Sequence, residues 1–416
     1  MRLVETFCTI AVTALGFSSC ESFEPEHKPM PCEPYALTKS QSEMVNDGNA
    51  FAFNLLGKIY EAPDFQGKDF MVSPLSISFV LGALDNGATG ETSNEIHSVL
   101  GFGDYQADEI NEYSKTILQG CPGVDNLVNV KMANAVFVKE GYEFKEGFSN
   151  ALSTYYDAYV KSMKFDTGAL DDINGWCKEK TEGLIPKIID KIPDEACLFA
   201  LNSIYFKGDW AEKFEKGDTE KAGFTNFDGT SGTAWMMHME DRFTYSANDV
   251  WATVRLPYGN GSYSMYVLLP HKGKSIEDMM AVLNAQTWES EKNSMRSNTV
   301  DLKLPKFETE TDINLIDIMK SLGMEKAFEA SQAEFGEMFT KTNGNVHLGL
   351  LKQKSKIIVN EDGTEAAAVT IGGMVDSAGP PELPQIIEFH ADRPFVYLIQ
   401  ERSSNAIFFI GAKVRS

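Results

Sequence analysis

Positive charge is what this 416-residue sequence has least of: 37 Lys and Arg stand against 60 Asp and Glu, for a formal net charge of −23. So acidic a chain repels nucleic acid and anionic lipid surfaces at long range, which argues against both as partners. Histidine is sparse as well. The six copies, His27, His97, His238, His271, His347 and His390, form no His-Glu-x-x-His pair, and there is no Gly-x-Ser-x-Gly turn and no Gly-x-x-x-x-Gly-Lys loop. Zinc hydrolysis, serine-hydrolase chemistry and P-loop phosphate binding therefore have no local signal, and neither enzyme activity nor a cofactor is expected. Cysteine occurs only at Cys8, Cys20, Cys32, Cys121, Cys177 and Cys197, without a Cys-x-x-Cys or Cys/His spacing, so no metal site is expected. The apolar run at residues 7–17 is too short to span a membrane.

What is present begins with an address. Arg2, that apolar run, and then Ser18, Ser19 and Cys20 read as an export signal ending in small residues. Small residues just before a Cys resemble the bacterial lipoprotein cleavage box, which makes residues 1–19 the signal and Cys20 the lipidated first residue, with a lipid anchor in the outer membrane. Glu5 and Phe17 depart from that pattern, and a plain secretory signal is the alternative. Residues 20–36 carry Pro25, Pro29, Pro31 and Pro34 among charges and read as a semi-extended tether. With Cys8 removed and Cys20 acylated, Cys32, Cys121, Cys177 and Cys197 allow three pairings in an exported protein. Free buried thiols are the other reading, above all for Cys177 and Cys197 beside Trp176 and Leu198.

Residues 42–60 show helical apolar spacing, and residues 70–72 form a short apolar strand entering a helix with Ser73 as N-cap and Pro74 at its first position. Residues 128–140 alternate as a strand, residues 174–190 read as a helix and its exit, and residues 197–206 as a long buried strand. Asn260, Gly261 and Ser262 fit a glycosylation acceptor, but a hairpin turn explains them more simply. Without an internal repeat or a second composition regime, residues 37–416 make one α+β domain.

The stretch that organises the chain is residues 361–381. Small and β-branched side chains from Thr364 to Thr370 suit a strand in a tight gap, whereas Gly372, Gly373 and the Gly379, Pro380, Pro381 turn belong to an exposed loop. If Thr364 faces inward, strand alternation sends Ala366, Ala368, Thr370 and Gly372 to the same inner face, with no proline or charge among them. A helix is the other reading of an alanine run. The order Glu361, Asp362, Gly363, Thr364, Glu365, Ala366, Ala367, Ala368 resembles the hinge of the serpins. Further matches are Ser73, Pro74, Leu75, Ser76 and Ile77, the run from Asn202 to Trp210, and Phe389 to Phe395, in family order from about Leu37 to Ser416.

That resemblance implies a serpin fold, with helices packed around a large central mixed sheet, further sheets, and an exposed reactive loop at about residues 361–385. It implies a bait cut by a serine protease, whose acyl link is trapped when the loop inserts into the sheet. Glu361, Gly363, Thr364, Glu365, Ala366, Ala367, Ala368 and Thr370 become the hinge. Ser73, Ser76 and Asn202 fall in the family's shutter beneath the sheet, and Trp210 at the breach where the loop first enters. Gln353 stands where most serpins place a shutter histidine; its amide can bridge Asn202 and Ser73 without titrating. Counting from Glu361 puts the reactive bond at Ser377 and Ala378, with Met374 and Val375 as alternatives. No Lys or Arg occurs between Thr364 and Asp392, which favours elastase-like or subtilisin-like targets over a protease whose pocket needs a cation. A monomer meeting a protease in a covalent complex is the expected partnership. A non-inhibitory serpin acting as a binding module, an inhibitor of cysteine proteases, and a solute-binding lipoprotein of another fold are the competing readings.

Overall fold

The computed structural model describes residues 30–31, 34–103, 105–192, 197–341, 346–364 and 386–416. The first half of the chain runs α1 (Lys39–Glu61), β1 (Phe70–Val72), α2 (Pro74–Asp85), α3 (Gly90–Leu100), α4 (Ala107–Gly120), β2 (Val128–Lys139), β3 (Glu143–Phe144), α5 (Glu146–Tyr155), β4 (Tyr159–Met163), α6 (Thr167–Lys180) and β5 (Leu198–Asp209). It continues through β6 (Glu220–Thr225), β7 (Ser231–Ala247), β8 (Trp251–Pro257), β9 (Tyr263–Pro270), α7 (Ile276–Met280), α8 (Ala285–Ser294), β10 (Arg296–Pro305), β11 (Phe307–Asn314) and α9 (Ile316–Leu322). Last come β12 (Phe339–Lys341), β13 (Leu348–Val359), β14 (Gly363–Thr364), β15 (Ile387–His390), β16 (Phe395–Glu401) and β17 (Ile407–Lys413).

Local chemistry accounts for the starts of the two helices that matter most here. Thr38 and Gln41 form a reciprocal capping box at α1, which then buries Met44, Val45, Phe51, Leu55 and Ile59 along one stripe. At α2 the Ser73 side chain accepts from the Ser76 amide with Pro74 at the first position, and every residue of the helix is buried. A helix apolar all round needs cover on all sides. It finds that cover between α1, the central sheet and β17.

The central sheet has the order β11-β13-β5-β2-β4, with β14 added against β5. The β13/β5 and β2/β4 pairs are parallel and the others antiparallel, so the sheet is mixed. β5 is buried on both faces because its alternate residues meet different layers. Phe199 and Leu201 pack with Ile173, Trp176 and Cys177 of α6, while Ala200, Ile204 and Phe206 enter the main core. The second large sheet has the order β1-β17-β16-β9-β8-β7-β10-β15, with β6 paired to β7. β3 and β12 form a small third sheet.

Several expectations change in detail. The helix expected at residues 174–190 starts earlier and stops earlier, at Thr167–Lys180, because the Asp166 carboxylate caps it by accepting from the Gly168 and Ala169 amides. β5 runs past the expected end at Phe206 to Asp209, through Lys207 and Gly208. Cys121, Cys177 and Cys197 are free buried thiols, and burial pushes the Cys121 thiol up to about 12; Cys32 lies outside the described residues. Tyr35, read as the end of the tether, is packed instead. Its ring lies over Gly120, where a Cβ would come within 2.8 Å of it, and its hydroxyl is 4.0 Å from Cys121 Sγ. The Asn260 turn is as expected: its side chain donates to the Val124 carbonyl and accepts from the Ser262 amide. Among the described residues no helix is long and apolar enough to cross a membrane.

Candidate functional site

Two polar clusters sit at the central sheet, one beneath its middle and one at its end. The lower cluster joins α2 to three strands. Gln353 of β13 accepts from the Ser73 amide through Oε1 (2.8 Å), and its Nε2 donates to the Ser73 carbonyl (3.1 Å) and to Asn202 Oδ1 (2.6 Å). Asn202 of β5 in turn donates to Ser76 Oγ and to Asn134 Oδ1 of β2 (2.8 Å). Gln353 and Asn202 are no more than 1% exposed, so an unmet donor or acceptor here would cost about 1–3 kcal/mol. The amide is suited to the place because it donates and accepts at once. The sequence placed Ser73, Ser76, Asn202 and Gln353 together, and the structure does the same. It missed Asn134, whose signal is a lone amide amid the apolar run of β2.

The upper cluster lies where β13 turns back on itself. Residues 360–363 form a tight turn closed by hydrogen bonds both ways between Asn360 and Gly363 (2.9 and 3.2 Å), and the returning strand β14 pairs Gly363 with Asp209 and Thr364 with Gly208. Gly363 has φ +144°, and a Cβ there would overlap the Gly208 carbonyl and stand 2.7 Å from Asp209 Cα. Only glycine fits. Trp210 holds the turn from below: its Nε1 donates to the Asn360 carbonyl (2.9 Å), its amide to the Asp362 carbonyl (3.0 Å), and its ring stacks on Tyr258 at 4.3 Å. The Tyr258 hydroxyl is 3.0 Å from Thr364 Oγ1. Thr364 is buried, as the alternation argument required.

Glu361 anchors the outer side of this turn. Its carboxylate meets Lys306 Nζ at 2.8 Å and accepts from Thr219 Oγ1 at 2.9 Å, while Asp362 pairs with Lys216 at 2.8 Å. Partial burial works to raise the Glu361 pKa. The hydrogen bonds from Lys306 and Thr219 outweigh it and hold the carboxyl below its usual range. Below the turn, β13 and β5 pair from Leu348 to Lys356 and then diverge. The fork encloses a cavity of about 10 Å³ lined by Leu184, Tyr205, Phe206, Lys356, Ile358 and Thr364. β14 thus lies against β5 at the mouth of this fork. Glu365, Ala366, Ala367, Ala368, Thr370, Met374, Val375, Ser377 and Ala378 lie outside the described residues.

A family model described as Serpin (serine protease inhibitor) matches residues 46–416. The chain is a serpin. Its relatives include Serpin-Z2B of Triticum aestivum, 30% identical over 87% of this chain and 93% of that protein. Glia-derived nexin of Rattus norvegicus is 31% identical over 83% of this chain and 87% of that protein. Among solved structures, the native state of the thermophilic serpin Tengpin superposes with a TM-score of 0.82 at 26% identity, over 93% of this chain and 97% of that one.

In this serpin the buried bridge carries no titrating group, which predicts an expected contrast. Stability and any inhibition should be flat between pH 5 and 8 at this position, whereas Gln353→His should lose stability on acidification. Burial disfavours imidazolium and lowers the folded pKa, so the contribution is intact above the unfolded value and falls by about 1.4 kcal/mol per unit of depression as pH drops. Denaturant midpoints at several pH values test this; a variant as flat as the parent would defeat the idea.

For Glu361 the sign is opposite in origin but the same in direction. A depressed carboxyl contributes stability above its ordinary value of 4.5 that disappears as pH falls through the folded value. Lys306 is 38% exposed, so water screens the pair, and Glu361→Gln should cost about 1 kcal/mol at neutral pH. Denaturant midpoints of parent and variant should converge as pH falls below the folded value of this carboxyl. Equal midpoints already at pH 7 would show that the ion pair contributes nothing.

Proposed function

We infer that the chain is a suicide substrate for serine proteases with small or apolar specificity, elastase-like or subtilisin-like, cut at Ser377 and Ala378 or at Met374 or Val375. The observation that carries this reading is β14: two residues of the hinge already pair with β5 at a fork whose next positions are destined for small side chains. Ala366, Ala368 and Thr370 follow Thr364 on the inner face and add no charge to a dry seam. A protease that forms an acyl link to the loop is then carried along as the strand zips in, and is trapped before water resolves the link. The export signal and Cys20 support a position at the cell envelope, on a lipid anchor joined to a monomeric body through residues 20–36.

Incubation with an elastase-type enzyme followed by denaturing electrophoresis tests the reading. A denaturant-stable species of summed mass is expected. Clean cleavage without that species would favour a binding module instead, and labelling by a cysteine protease alone would move the target class. Globomycin-sensitive processing, or release of a diacylated Cys20 peptide, tests the anchor.

A further inference from the structure

Beyond the hinge, the loop returns to the body through β15, the edge strand of the second sheet, held to β10 by four residue pairs from Val300/Ile387 to Lys303/His390. Four pairs are a slight hold for a strand next to a segment that can be drawn into another sheet. The register across β7, β10 and β15 explains what reinforces it. Directly opposed residues share a face. One row on this face reads His238, Lys303, His390, and the row two residues along reads Glu240, Asp301, Glu388. Both imidazoles reach diagonally to the same carboxylate: His238 Nε2 lies 2.8 Å from Asp301 Oδ1, and His390 Nε2 lies 2.9 Å from Asp301 Oδ2.

We propose that His238, Asp301 and His390 form a clasp that pins the C-terminal stem of the reactive loop to the body, keeping the uncut loop from being pulled off its edge. These are positioning residues for the inhibitory reaction, and the proposal rests on the reading that the loop must stay outside until it is cut. Asp301 is the centre, since its carboxylate bonds a side chain on each flanking strand. Partial burial would raise its carboxyl, and the two imidazole hydrogen bonds outweigh that and bring it below the usual range.

The surrounding charges set the sign of the pH response. With neutral imidazoles the grid has three carboxylates, Glu240, Asp301 and Glu388, against the single ammonium of Lys303. Protonating both rings balances it and makes both bonds to Asp301 charge-assisted, which is roughly twice as strong. The neighbouring His271, Lys272 and Arg393 line a depression shared with Glu388 and His390, and Arg393 is bonded to the Pro270 and His390 carbonyls and to Asp392. Lys272 and Arg393 add cations beside β15, which temper the gain on acidification without replacing the clasp.

Hydrogen exchange of the intact chain, read by mass spectrometry at residues 387–390, tests the proposal without any protease and so stands apart from whether inhibition occurs. Asp301→Ala should speed exchange there about tenfold while β16 and β17 keep parental protection. After correction for intrinsic rates, parental protection of β15 should be greater near pH 5.5 than near pH 8, and the double variant His238→Gln, His390→Gln should remove that slope. If Asp301→Ala does not fold, Asp301→Asn keeps an acceptor and the shape, and should still lose the slope. Unchanged exchange at β15, or acceleration spread equally over β16, overturns the clasp.

Discussion

Thr364→Arg is expected to turn the inhibitor into a substrate, with covalent complex falling about a hundredfold relative to cleaved product. The outcome of each encounter is a race between loop insertion and hydrolysis of the acyl link. Insertion has to pass through Thr364, which is 1% exposed, hydrogen-bonded to Tyr258 and placed over a cavity of about 10 Å³. A guanidinium has neither room nor a partner there, and burying it unpaired costs several kcal/mol. Each 1.36 kcal/mol added to the barrier of insertion slows it tenfold, so about 3 kcal/mol suffices for hydrolysis to win. Thr364→Val is the control. It keeps the shape, loses only the bond to Tyr258, and should retain most of the complex. If the arginine variant traps protease as well as its parent, insertion does not begin at this residue.

Cutting the loop should raise the melting temperature by more than about 15 °C. Opening the seam between β5 and β13 breaks one ladder, the parallel pairs from Leu348 to Lys356. A strand running on from β14 then makes two antiparallel ladders in its place and buries Ala366, Ala368 and Thr370. At about 2 °C per kcal/mol for a chain of this size, the rise corresponds to a net gain of about 8 kcal/mol. Calorimetry on intact and nicked samples decides it. A nicked sample that melts with the intact one would mean that the cut end stays in solvent, and the trapping mechanism would go with it.

Much of this machinery could be read from residue types. Ser73 before Pro74 announces a cap, a local fact of one side chain's chemistry, whereas the bridge at Gln353 was implied only by the resemblance to the family's shutter. The inward face of Thr364 was the premise of the alternation argument, and its burial supports that premise. What stayed hidden depends on partners far away in sequence. Asn134 looked like any polar residue on a strand until Asn202 lay beside it, and Tyr258 had no role until Trp210 stacked on it. Lys207, Gly208 and Asp209 carry turn-like chemistry, and that same chemistry gives β14 its pairing edge: a strand end without bulky side chains, where Gly363 can approach the backbone. The three-strand charge grid was invisible because register, which puts His238 opposite Lys303, is set by tertiary pairing.

The lysines of β13 point to how the sheet parts. Lys352, Lys354 and Lys356 reach across to Asp312, Glu310 and Glu308 of β11 at 2.7 to 2.9 Å, and Lys306, just ahead of β11, closes the far end on Glu361 with the polarity reversed. Eight residue pairs and four charged rungs make these two strands a single plank. On the proposed mechanism, cargo hanging from a strand that enters beside β13 would therefore load two strands at once.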